Sequence, residues 1–148
     1  MKKTLNTEDA VVFSTLVIDA SAAVDALLED NPKGEAVAHR IRDCVLIAPT
    51  MFAFEVTNVI RRRLSARILS PEAAQLAWIG LNELDVELWQ WATIANRVWR
   101  LRGSLSAYDA SYIALAEVMN CPLVTTDARL AAMAPSTCQV ELVGCPAH

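Results

Sequence analysis

The sequence predicts an α/β protein, a parallel sheet covered on both faces by helices. Three observations carry this. Short runs without polar alternation, Leu16-Val17-Ile18, Cys44 to Ala48 and Pro122 to Thr125, read as strands buried on both sides. Stretches with helix-start signals separate them, the alternation expected of a parallel sheet with crossover helices. A chain of 148 residues with no repeat, low-complexity segment or dividing linker makes one domain with a real core.

Taken in order, residues 1–13 read as an extension and 14–148 as the domain. Lys2, Lys3 and Ala20-Ser21-Ala22 give the start an outline of a secretory signal. Glu8 and Asp9 interrupt its basic end, Ser14 and Thr15 dilute its apolar stretch, and Asp19 sits just before the cleavage site, so that reading is disfavoured. A strand is expected over 15–19 and a helix over 21–29. Asn31-Pro32 turns into a helix over 33–42, and Cys44 to Ala48 is a strand. Pro49-Thr50 opens a helix reaching about Ala66, with Thr50 as N-cap. Ser70 caps the next helix, with Pro71 in its first position. Asp85 to Leu88 is a strand, a helix covers about 90–102, and Gly103 is its natural stop. Ser106 to Asn120 is helical, Pro122 to Thr125 a strand, Ala128 to Met133 a short helix and Gln139 to Val143 a last strand.

Apolar residues make up 54% of the chain and mean hydropathy is +0.30, so a partner or a second copy is expected to cover some apolar surface. No apolar run approaches the ~18 residues of a membrane span. None of the four cysteines lies in a C-x-x-C pair, and two histidines give zinc no framework; reduced thiols in a cytoplasmic protein are expected. Lysine stops at Lys33, and the Gly-rich loop and lysine of a P-loop are missing. Phosphate chemistry here must use acids, metals and arginines. The net charge of −4 conceals two basic groups, Arg61, Arg62, Arg63 and Arg67, then Arg97, Arg100 and Arg102. Such groups can track phosphates on an acidic protein; a solvated helix face accounts equally well for any one of them.

Four acids stand out. Asp19 ends the run Leu16-Val17-Ile18, and Asp127 follows Leu123-Val124-Thr125. Both lie where open sheets bind ligands, and both are also plausible helix N-caps. Asp109 fits a capping box, Ser106-x-x-Asp109, in a first turn where it can still point towards the strand ends. Glu55 shares a helix face with Met51, Asn58, Val59 and Arg62, within about 40° at ~100° per residue. None of its three- and four-residue neighbours is basic, so an acid among Phe52, Phe54, Val56 and Val59 needs a partner or a cation. Gathered together, the four would repel one another unless hard cations filled the pocket; Mg²⁺ or Mn²⁺ suits an all-oxygen site.

The segments VIDASAAVDALL, APTMFAFEVTNVIRR, LSAYDASYIALAE and PLVTTDARL, in this order, resemble the PIN-domain ribonucleases, most closely the VapC type of bacterial toxin. They span most of the chain from Thr15 to about Val143. The resemblance implies a three-layer α/β/α sandwich with a mostly parallel central sheet. It implies a metal-dependent endoribonuclease in which Asp19, Glu55, Asp109 and Asp127 hold one or two Mg²⁺ or Mn²⁺ ions, leaving 5′-phosphate and 3′-hydroxyl ends. Ser21, Asn58 and Thr125, with Thr126 adjacent, match the family's supporting polar positions. The arginines at 61, 62, 63, 67, 97, 100 and 102 become candidates for the RNA backbone. A homodimer and a small VapB-like antitoxin, often blocking the acidic pocket through an arginine, are further implications. The extra dozen residues before the first strand depart from the family pattern. Two other readings stay open: an acid-cluster phosphatase, which often has a second aspartate where Ser21 stands, and a PIN-like scaffold that binds without cutting. Setting aside four of the 17 acids leaves as many acids as the 13 Lys and Arg, so a metal-loaded surface is near neutral.

Overall fold

The computed structural model describes residues 14–28 and 31–144. Five strands form one sheet: β1 (Ser14–Ile18), β2 (Cys44–Pro49), β3 (Val86–Trp89), β4 (Leu123–Thr125) and β5 (Val140–Leu142). Their order is β3-β2-β1-β4-β5, and every pair is parallel. The helices are α1 (Ala20–Leu27), α2 (Pro32–Ile41), α3 (Phe52–Ser65), α4 (Pro71–Glu83), α5 (Trp91–Arg100), α6 (Ala107–Val118) and α7 (Ala128–Met133). The expected extension, residues 1–13, lies outside the described residues, as does the expected end of the first helix at 29.

The chain winds outward from β1 to β3, then returns to β4 and β5 on the other side of β1. Right-handed crossovers therefore put α1 to α4 on one face and α5 to α7 on the other. The packing agrees. α1 rests on α2, α3 and α4, while α6 rests on α5 and crosses β1, β2 and β4. The result is the expected three-layer α/β/α arrangement. Its winding reverses between β1 and β4, and a crevice opens beyond the carboxyl ends of strands at such a reversal. Asp19 and Asp127 lie at this point.

The two central elements read as they do because they are buried. Leu16, Val17 and Ile18 of β1 have no exposure, and α6 is buried continuously from Ala110 to Ala116. A helix covered on nearly all sides shows no amphipathic stripe, and Ile113 and Leu115 of α6 are among the largest fully buried side chains of the core. Fully burying a side chain of that size contributes about 1.5–3 kcal/mol. Among the described residues, no helix is long and apolar enough to cross a membrane.

Two local expectations are corrected. Thr50 does not cap α3. β2 continues through Pro49, which pairs with Trp89, so Thr50 and Met51 are used in the turn and Met51 takes the cap position without a side-chain bond. Gly103 does not terminate α5. The helix closes at Leu101, whose N–H lies against the carbonyls of Arg97 and Val98, and Gly103 is absent from the positive-φ residues.

Candidate active site

Asp19 follows β1 immediately and caps α1, accepting from the Ala22 N–H at 2.9 Å. The Ser21 hydroxyl donates to its Oδ1 at 2.8 Å, and the Thr125 hydroxyl to its Oδ2 at 2.5 Å. Thr125 ends β4, so the pairing of β1 with β4 brings together groups 106 residues apart. The same Thr125 oxygen accepts the Asp127 N–H at 3.0 Å, which ties the first acid to the last. Asp19 is only 4% exposed, and burial pushes its carboxyl up to about 6 against the lowering effect of these donors; the charge of Asp127 adds to the rise.

Asp127 caps α7, its Oδ1 accepting from the N–H groups of Arg129 at 2.9 Å and Leu130 at 3.2 Å. At Asp109 only half of the capping box forms. The Ser106 hydroxyl accepts the Asp109 N–H at 3.2 Å, while the carboxylate turns to a basic residue the sequence reading passed over. Arg129 bonds Asp109 Oδ2 at 3.0 Å and Asp127 Oδ2 at 3.2 Å with one nitrogen.

Glu55, in the first turn of α3, faces α6. Its Oε1 and the Tyr112 hydroxyl are both buried, and neither finds a partner in hydrogen-bonding geometry, although each lies within the other's influence. Burial raises the Glu55 carboxyl above its ordinary range against the lowering effect of the nearby Tyr112 hydroxyl; the charges of Asp109 and Asp19 push it further up and that of Arg62 pulls it down. Tyr112 is held far above the usual phenol range by burial and by Glu55. Met51, Glu55, Asn58 and Arg62, four of the five residues expected on one face, line a cleft of about 490 Å³ with Phe54 and Tyr108.

Across the crevice, the charge of Asp127 thus acts on Asp19, and those of Asp109 and Asp19 act on Glu55. Among the described residues, no three Asp, Glu, His or Cys side chains stand close enough to form a ready ligand set. The chemistry nevertheless fits a hard divalent cation: the charged donors are all carboxylates, one buried carboxylate oxygen lacks a partner, and burial holds Asp19 against ionisation.

The remaining expected residues are placed as follows. Thr126 turns away from Asp19; its hydroxyl donates to Asp25 Oδ2 at 2.7 Å, and its N–H reaches Ser21 Oγ at 3.4 Å. Asn58 accepts from Arg61 at 3.4 Å. Arg63 pairs with Asp25 at 3.4 Å and Arg97 with Glu117 at 2.5 Å. Arg102 lies over the Trp99 ring, and Arg67 and Arg100 are exposed. Sequence reasoning missed Arg129, Tyr112 and Asp25. Tyr112 stands one turn after Asp109, so helical spacing could have found it. Arg129 stands two residues after Asp127, and no periodicity marks it as a partner of Asp109. Nothing local marks Asp25, which is buried with Asn31, Arg63 and Thr126 around it.

The chain is 35% identical to Ribonuclease VapC12 of Mycobacterium tuberculosis over 86% of its length and 98% of that protein's. It is 33% identical to Ribonuclease VapC1 of the same organism, over 86% of this chain and 96% of that one. Among solved structures, VapBC2 from Rickettsia felis, bound to a promoter DNA fragment, has a similar chain with a TM-score of 0.62 at 12% identity, covering 88% of this chain and 99% of that one. VapC20 of M. tuberculosis, a sarcin–ricin loop cleaving toxin, aligns with a TM-score of 0.60 at 14% identity, over 84% and 98% of the two chains. These likenesses share the parallel α/β fold described above. The family model for the PIN domain matches residues 16–135, from within β1 to just past α7, and the chain belongs to the PIN-domain family.

Proposed function

We propose that this protein is a divalent-metal-dependent endoribonuclease and the toxin of a toxin–antitoxin pair. The observation that carries the reading is the convergence of Asp19, Glu55, Asp109 and Asp127 on the crevice between β1 and β4, with a buried Glu55 oxygen left unpartnered. The curated relatives named as VapC ribonucleases support the activity, and the R. felis VapBC2 neighbour supports an antitoxin partner.

In this reading the four acids hold one or two Mg²⁺ or Mn²⁺ ions. Bound there, such an ion supplies Lewis acidity and lowers the pKa of water, the requirements of phosphodiester hydrolysis near neutral pH. The chain's own groups do the rest. Ser21 and Thr125 fix the orientation of Asp19, and Thr125 also holds the turn that carries Asp127. Asn58 and Arg62 stand at the cleft beside Glu55, where an RNA phosphate can be met. Arg61, Arg67, Arg100 and Arg102 are exposed for the RNA backbone, whereas Arg63 and Arg97 have acids matching their charge. A homodimer, a small VapB-like antitoxin and a cytoplasmic setting complete the proposal.

The test is cleavage of structured RNA by the purified chain freed of any partner. Cleavage is expected with Mn²⁺ or Mg²⁺ and is expected to disappear in EDTA, in Asp19→Asn and in Asp109→Asn. Equal cleavage in EDTA would sink the metal mechanism. Phosphate release from a monoester without RNA cleavage would point instead to a phosphatase.

A further inference from the structure

Arg129 is the cation that the described structure places between Asp109 and Asp127. Its guanidinium bonds both carboxylates through one nitrogen, at 3.0 and 3.2 Å. The two acids come from the first turn of α6 and the cap of α7, so Arg129 joins elements that no strand pairing connects. The pairs are solvent-accessible: 57% of the Arg129 side chain is exposed, against 24% for Asp109 and 31% for Asp127. Glu55 and Asp19 are not bonded to it. The crevice is therefore divided, with Arg129 bonded to Asp109 and Asp127 on one half and, on the other, the buried Asp19 and the partly buried Glu55, whose basic neighbour is Arg62.

We infer that Arg129 is a built-in competitor for the divalent cation, occupying Asp109 and Asp127 until an ion displaces it. This rests on the metal-dependent reading above. The physical argument is charge and access. A divalent ion shared by Asp109 and Asp127 would compete with the Arg129 nitrogen that now bonds one oxygen of each, and a guanidinium left beside it would repel it. An exposed ion pair is weakly held, so displacement costs little and the residue tunes affinity without blocking the site. The side chain has somewhere to go: it already extends along α7 to the Met133 sulfur, 3.6 Å from its other terminal nitrogen.

The experiment is calorimetric titration of MnCl₂ into the full chain, metal-stripped and free of any partner, for wild type, Arg129→Gln and Arg129→Lys. Arg129→Gln is expected to bind Mn²⁺ about fivefold more tightly than wild type, the scale of a solvent-exposed ion pair. Arg129→Lys, which keeps the charge, is expected to stay near the wild-type value. Thermal melts in EDTA supply a readout independent of titration. Arg129→Gln is expected to melt lower than wild type without metal and to show the larger gain on adding Mn²⁺. Equal or weaker Mn²⁺ binding by Arg129→Gln overturns the inference while leaving metal dependence standing. If neither protein binds Mn²⁺, the metal reading and the inference fall together.

Discussion

Asp19 is held in a place that disfavours its charge. Burial lifts its carboxyl from 3.8 to about 6, and a displacement of that size is worth about 3 kcal/mol. The folded chain binds the proton more tightly than the unfolded chain. Metal-free stability should therefore fall as pH rises from about 4 to about 6, with the cost fully present above that window. Glu55, raised in the same direction, adds to the slope. Urea unfolding in EDTA is expected to show this fall in wild type and a flatter profile in Asp19→Asn. The variant should gain up to about 3 kcal/mol at pH 7 while losing RNA cleavage. A slope unchanged in Asp19→Asn would place its origin elsewhere. Thr125 acts through Asp19. Thr125→Val removes a donor to the carboxylate, and Mn²⁺ affinity should drop about 10- to 100-fold by calorimetry.

Among the helices, capping and the proposed site share residues. Five of the seven helices among the described residues begin on a side-chain cap, and two of those caps, Asp19 and Asp127, are acids of the proposed site. Capping the start of α1 and α7 is what aims each carboxylate at the crevice, because a cap side chain must fold back over its own first turn. Ser70 caps α4 away from the site, so Ser70→Ala should cost about 1 kcal/mol in urea unfolding and leave RNA cleavage intact. Gly34 on α2 is a tighter constraint. A Cβ there would collide with the Asp25 carbonyl at the end of α1, and backbone cannot swing aside as a flexible side chain does. Gly34→Ala should destabilise the fold by about 1–3 kcal/mol, the range for overpacking. Asp25 also holds Thr126 and Arg63, so the same change should loosen the turn before Asp127. A loss of cleavage larger than the loss of folded protein would show that coupling.

Across the whole molecule, large apolar side chains remain exposed. Leu76, Trp78 and Ile79 project from α4, Trp91 and Trp99 from α5, and Phe54 and Tyr108 flank the cleft. Exposed apolar area on this scale marks interaction surfaces. It fits the proposed homodimer and antitoxin, and explains a mean hydropathy of +0.30 in a chain without a membrane-spanning helix among its described residues. Light scattering of the purified chain should report twice 16.2 kDa at micromolar concentration, and a single-chain mass would remove the dimer from the proposal.

The strands and most helix starts were legible in the chain, and so were the four acids put forward for the proposed site. Those features are local: uninterrupted apolar runs, cap residues and the seats just past strand ends are visible within a few positions. Sequence reading alone misjudged Thr50 and Gly103 because the end of β2 is set by pairing with β3, and the end of α5 by backbone closure at Leu101. Only the tertiary structure decided what surrounds the acids. Thr125 reaches Asp19 because β4 lies beside β1, Tyr112 faces Glu55 because α6 passes near the start of α3, and Arg129 bridges Asp109 and Asp127 across two helices. Strand order and side-chain direction create these contacts, and neither leaves a periodic trace in the chain. The same reason separates Arg63 and Arg97, matched by Asp25 and Glu117, from the exposed arginines beside them in sequence.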